Sequence, residues 1–85
     1  MQRWLVTTLD GYDLDVRTFF LNAESLDKVA DYICDKVGDY ERDELSINRE
    51  LNTVYGEIEF DEEDMIHSPW VFAQPVESVE EFNAE

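Results

Sequence analysis

Four aspartates, Asp27, Asp31, Asp35 and Asp39, recur every four residues, and Asp43 continues the count. On a helix, residues four apart are neighbours on one face. Each step climbs ~6 Å along the axis, at ~1.5 Å per residue. The spacing therefore draws a slowly winding row of carboxylates, provided the helix extends that far. A second row lies further along the chain, where Glu57, Glu59 and Asp61 share one side of an extended segment. Alternate residues of a strand stand ~6.7 Å apart. The run Asp61-Glu62-Glu63-Asp64 prolongs this row, and Asp13 and Asp15 form a third acidic edge. Such rows can meet metal cations, or the Lys and Arg side chains that hold phosphates in a nucleic-acid cleft. Their steps approach the spacing of successive phosphates, which rise ~3.4 Å per nucleotide on the axis but follow a longer helical path.

The helix row works against the helix. Aspartate is a poor helix former, like charges at i,i+4 repel, and Asp35 and Asp39 lie toward the end that the helix dipole makes unfavourable for anions. Lys28 and Lys36 compensate in part. A choice repeated against propensity, pairing and dipole asks for another reason. A solvated helix face would give the same ~6 Å spacing from any i,i+4 pair. The weight therefore rests on total charge, on the absence of bases after Arg49, and on aromatics among the acids. Tyr55 is expected on the same side as Glu57, and Tyr40 sits between Asp39 and Glu41. Aromatic anchors within an acidic rim suit a basic protein groove.

Signals of catalysis are weak. The one histidine, His67, stands between Ile66 and Ser68-Pro69, and none of Ser25, Ser46, Ser68 and Ser78 lies in a nucleophile-elbow context. Cys34 follows Ile33 beside the apolar stripe of the helix and reads as a small buried residue. No GxGxxG or GxxxxGK[ST] occurs. We expect no enzyme, no catalytic residue and no cofactor. Asp13, Asp15 and Glu24 fall at positions 1, 3 and 12 of an EF-hand-like window, but Arg17, Thr18 and Phe19-Phe20-Leu21 occupy places that a calcium loop cannot give them. Asp61–Asp64 could hold a divalent ion only as loosely as any acidic loop, and zinc lacks its preferred Cys and His ligands. No specific metal site is expected.

The 85 residues include 22 acids and 6 bases, for a formal net charge of −16. A chain this negative is repelled by DNA, RNA and anionic membranes. No apolar run reaches the ~20 residues of a spanning helix. Met1-Gln2-Arg3-Trp4 has one base and no apolar core before Asp10, so no secretory signal is expected. A single cysteine cannot form an internal disulfide, which favours a cytosolic setting. Despite the acidity, 44% apolar residues and eleven aromatics argue for a folded domain. The charge is uneven. Residues 1–49 hold eleven acids and all six bases, whereas residues 50–85 hold eleven acids and none. With no linker and no repeat, residues 1–85 read as one domain, with a loose tail from about residue 80.

The elements that must position these residues follow from pattern. Arg3–Leu9 is β-branched and apolar, Asp10-Gly11 is a hairpin turn, and Leu14–Leu21 alternates, with Leu14, Val16, Thr18 and Phe20 on one side. Asn22 or Ser25 caps a helix over about Ser25–Val37, whose stripe is Leu26, Val29, Ala30, Ile33 and Val37. Gly38 is a natural stop. Leu45–Leu51 alternates weakly and Thr53–Phe60 clearly. Trp70–Ala73 is a short strand between Pro69 and Pro75, and prolines at both ends suggest an edge. The sum is an α+β fold: an antiparallel sheet of four to five strands with one main helix on one face, ββαβββ-like.

Size, charge and the residues Asp27, Asp31, Asp35, Asp39, Glu57, Glu59 and Asp61–Asp64 resemble, as a class, the small acidic phage-encoded inhibitors that mimic DNA. That class includes anti-restriction and anti-CRISPR proteins and inhibitors of uracil-DNA glycosylase. The resemblance implies an inhibitor acting in the cytoplasm of a bacterial host. Its partner would be a basic nucleic-acid-binding protein, such as a nuclease or CRISPR effector, whose cleft it occupies, with no direct contact to nucleic acid. The expected contacts are Asp27, Asp31, Asp35, Asp39, Tyr55, Glu57, Glu59, Asp61, Glu62, Glu63 and Asp64, on a monomer or homodimer. Two other functions fit the same charge: an immunity or antitoxin protein against one nuclease toxin, or a phage structural or adaptor domain that binds through apolar residues such as Trp70-Val71-Phe72.

Overall fold

A computed structural model describes residues 1–9, 15–37, 40–57 and 69–84. Along the chain run β1 (Gln2–Leu9), β2 (Val16–Ala23), α1 (Leu26–Tyr32), β3 (Leu45–Asn48), β4 (Thr53–Glu57) and β5 (Trp70–Pro75). The five strands form one antiparallel sheet in the order β2-β1-β5-β4-β3. With one main helix on the sheet, this is the α+β layout that the sequence predicts. The expected turn at Asp10-Gly11, the stop at Gly38 and the continuation of β4 through Phe60 lie outside the described residues.

The hairpin pairs Gln2 with Ala23 through to Leu9 with Val16. This register sets Trp4 opposite Leu21 and Val6 opposite Phe19. Trp4 and Val6 are buried, and Phe19 and Leu21 pack against the core. The expected alternation of β2 holds, and its set Val16, Thr18 and Phe20 turns away from the helix. Val16 and Phe20 are more than half exposed there. The Trp4 indole N–H donates to the Ala23 carbonyl at 3.3 Å and closes the far end of the hairpin.

Ser25, rather than Asn22, caps α1. Its extended backbone (φ −152°, ψ 165°) lets its hydroxyl accept from the Lys28 N–H at 3.3 Å. Leu26, Val29, Ala30 and Ile33 are all buried, as the stripe requires, and Val37 packs at its margin. Phe19 meets Tyr32 with ring centroids 6.2 Å apart, tying β2 to the end of the helix. Beyond Tyr32 the chain widens into a π-helical turn, Ile33–Val37. Its i→i+5 pairing ends the four-residue repeat of α geometry.

The edge position expected for β5 is wrong. β5 lies in the middle of the sheet, paired with β1 on one side and β4 on the other. Pro69 precedes the strand and Pro75 ends it, so neither removes a ladder donor from Trp70–Gln74. Val71 and Ala73, fully buried beneath the helix, carry the core of a central strand. Gly56 of β4 is buried too, and a Cβ there would lie 2.7 Å from Leu45 Cδ2 and 3.1 Å from the Tyr40 ring. Tyr40, expected as an exposed aromatic among acids, is therefore a core residue only 7% exposed: the missing side chain at Gly56 makes room for its ring. The β3–β4 turn is held by Asn48, whose side-chain oxygen accepts from the Glu50 and Leu51 N–H groups at 3.0 and 3.1 Å. Asn52 takes the left-handed conformation that asparagine tolerates (φ 55°).

Candidate functional site

The predicted acidic row on α1 is partly neutralised by the protein itself. Arg42 bridges its first two members, reaching Asp27 at 3.2 Å and Asp31 at 2.5 Å. Arg49 adds a second cation on Asp27 at 3.1 Å. The short 3-10 turn Arg42–Glu44 and the β3–β4 turn bring these arginines to the helix. The Glu41 N–H, donating to the Glu44 carboxylate at 3.0 Å, steadies the first of those turns. The hydrogen bond and charge of Arg49, with support from Arg42, hold the Asp27 carboxyl below the usual carboxylate range. The same contacts, Asp31 foremost, raise the Arg42 guanidinium. Asp35 lies in the π-helical turn, exposed and with no partner among the described residues. Asp39 lies outside them. Among its described members the helix row thus holds a closed pair, Asp27 and Asp31, and one open member, Asp35.

The second row is described at its start only. Glu59, Asp61, Glu62, Glu63 and Asp64 fall outside the described residues, as does His67. Glu57 is exposed at the end of β4, on the same side as Tyr55, as expected. The Tyr55 hydroxyl donates to Glu57 Oε2 at 2.6 Å. That bond to the neighbouring carboxylate pushes the Tyr55 phenol above its ordinary value.

Sequence reasoning missed what surrounds Tyr55. In β5 the residues alternate, so that Val71 and Ala73 enter the core while Trp70 and Phe72 stand on the opposite side of the sheet. Tyr55 pairs with Phe72, Glu57 with Trp70, and Thr7 of β1 with Phe72 from the other side. Thr7, Tyr55, Trp70 and Phe72 line an open depression of about 410 Å³ on the sheet face opposite α1. Val16 and Phe20 of β2 share that face, and the Arg3 guanidinium stacks over the Phe20 ring at 3.9 Å. The signal was the period-2 alternation Trp70/Phe72 against Val71/Ala73. It becomes legible only once β5 is known to be central.

Cys34 is half-buried, and burial raises its thiol above the ordinary value, which keeps it protonated. Among the described residues no three His, Cys, Asp or Glu side chains gather as a metal site would need. Nor is any helix among them long and apolar enough to cross a membrane. Compared with known proteins, the chain matches no family model, no curated protein and no solved structure.

Proposed function

We propose that the protein is a non-enzymatic acidic inhibitor that competes with nucleic acid for the cleft of a basic nuclease, such as a CRISPR effector or a restriction enzyme, in a bacterial cytoplasm. One observation carries this reading. Every ion pair among the described residues joins Arg42 or Arg49 to Asp27 or Asp31. Among the described residues no ion pair reaches Glu50, Glu57, Glu77, Glu80 or Glu81, and residues 50–85 contain eleven acids with no Lys or Arg, a field of one sign along the sequence. Such a field steers a cationic cleft toward it and makes association fast and salt-sensitive. The contacts are Asp35, Tyr55 and Glu57, joined on the strength of the sequence by Asp39, Glu59, Asp61, Glu62, Glu63 and Asp64. Asp27 and Asp31 join them only by giving up Arg42 and Arg49.

The partly buried Trp70 and Phe72, lining the depression on the sheet face opposite α1, favour a second reading, an adaptor domain that docks through that face. Salt separates the two. The protein is immobilised, incubated with host lysate at low and high salt, and the captured protein identified and assayed with duplex DNA. A nucleic-acid-binding protein that is lost at high salt and competes with DNA supports inhibition. A partner retained at high salt that still binds DNA normally supports the adaptor. Asp35→Lys is expected to weaken capture of the inhibitor's target.

A further inference from the structure

We infer that the depression bounded by Tyr55, Trp70 and Phe72 receives an arginine side chain presented by a partner protein. The inference rests on the reading that the partner is basic, and it names the group that docks and where. The depression offers three aromatic rings beside a carboxylate: Tyr55 faces Phe72 across the strands, and Trp70 faces Glu57. A guanidinium is suited to both. Its plane stacks on rings, and its edge donates to carboxylates. Glu57 is set for that role, because the Tyr55 hydroxyl holds Oε2 at 2.6 Å and leaves Oε1 without a donor among the described residues. The same sheet face already shows this contact elsewhere, where Arg3 lies 3.9 Å over Phe20.

The cation must come from outside. Tyr55, Glu57, Trp70 and Phe72 all belong to the part of the chain that has no base. Of the four described arginines, Arg3 is engaged by Phe20, Arg42 and Arg49 by α1, and Arg17, paired with Thr8, stands on the other side of the sheet from Thr7. A second copy of this chain is a poor occupant, since each carries −16 and the two would repel. Lysine, a compact and strongly hydrated point charge, uses the rings less well than arginine.

The test titrates the full-length, 15N-labelled protein with the blocked tripeptide Gly-Arg-Gly, and with analogues carrying lysine or the uncharged isostere citrulline. Saturable shifts of the Trp70 indole and the Glu57 amide are expected with the arginine peptide. The Trp4 indole, 1% exposed and bonded to Ala23, serves as a stationary control. Citrulline, Trp70→Ala and Glu57→Gln should each weaken the interaction roughly tenfold, the scale of a lost cation–π or charge-assisted contact. Glu24→Gln removes the same unit charge elsewhere and should leave it unchanged. Should Trp70→Ala lose the fold, Glu57→Gln still decides, because its side chain is exposed. Equal binding of the citrulline peptide overturns the inference, as does equal weakening by Glu24→Gln or a dimer that buries Trp70. A basic target whose binding ignores Trp70→Ala and Glu57→Gln would sink the arginine site and spare the inhibitor. Specific seating of the peptide, with no nucleic-acid-binding target to be found, would do the reverse.

Discussion

Asp27 and Tyr55 show how single residues are tuned by their neighbours. Asp27 accepts from two arginines, and its carboxyl titrates below the ordinary range. A carboxyl depressed in the folded state contributes stability above its unfolded pKa and loses it as pH falls through the folded value. Asp27→Asn should therefore lower stability at neutral pH, where the contribution is full, and converge with the native chain in strong acid, flattening the acid limb below about pH 4. Urea melts between neutral and strongly acid pH measure this; an unchanged acid limb would mean that the bridges are not kept in solution. Tyr55 moves the other way: its proton is held by Glu57, so its phenol ionises above the usual value. Glu57→Gln removes that anion, and ultraviolet difference titration should then show one tyrosine ionising earlier than in the native chain.

Gly56 governs the packing of β4. It is buried where Leu45 and the Tyr40 ring close over the strand, and there is no room for a methyl group without displacing one of them. Gly56→Ala should cost about 1–3 kcal/mol, the range for overpacking a filled core. Gly56→Val should cost more, and equilibrium denaturation measures both. A neutral Gly56→Ala would show that Leu45 gives way freely. At the helix, the stripe Leu26, Val29, Ala30 and Ile33 could be read directly, because its spacing and its burial are the same fact. The place of β5 could not. Its pairing with β1 joins residues 61 to 71 apart, and prolines that end a strand look, in sequence, like prolines that border a sheet. Tyr40 misled for a related reason: its neighbours in sequence are acids, but its neighbours in space are Gly56 and Leu45.

Taken whole, the chain folds against its own charge. Its net charge of −16 meets only three ion pairs among the described residues, all in one corner of the structure. Self-repulsion of this kind destabilises the compact state. Salt shortens the reach of charge to ~8 Å at physiological ionic strength. The melting temperature should therefore rise as salt is added from near zero, while association with a basic partner weakens over the same range. Scanning calorimetry in a salt series checks the first effect. A melting temperature that falls with salt would mean that the three ion pairs outweigh the repulsion.

The excess of acids, their concentration after Arg49, the hairpin, the helix stripe and the α+β class were all determined by the sequence, since charge is additive and periodicity is local. Tertiary structure alone decided which acids remain open. It brought Arg42 and Arg49 across 15 and 22 residues to Asp27, closing half of a row that spacing had left whole. It also turned Trp70 and Phe72 outward beside Tyr55 and Glu57 by placing β5 at the centre of the sheet. Both outcomes depend on contacts between distant segments, and a repeat along the chain carries no information about what will lie opposite it.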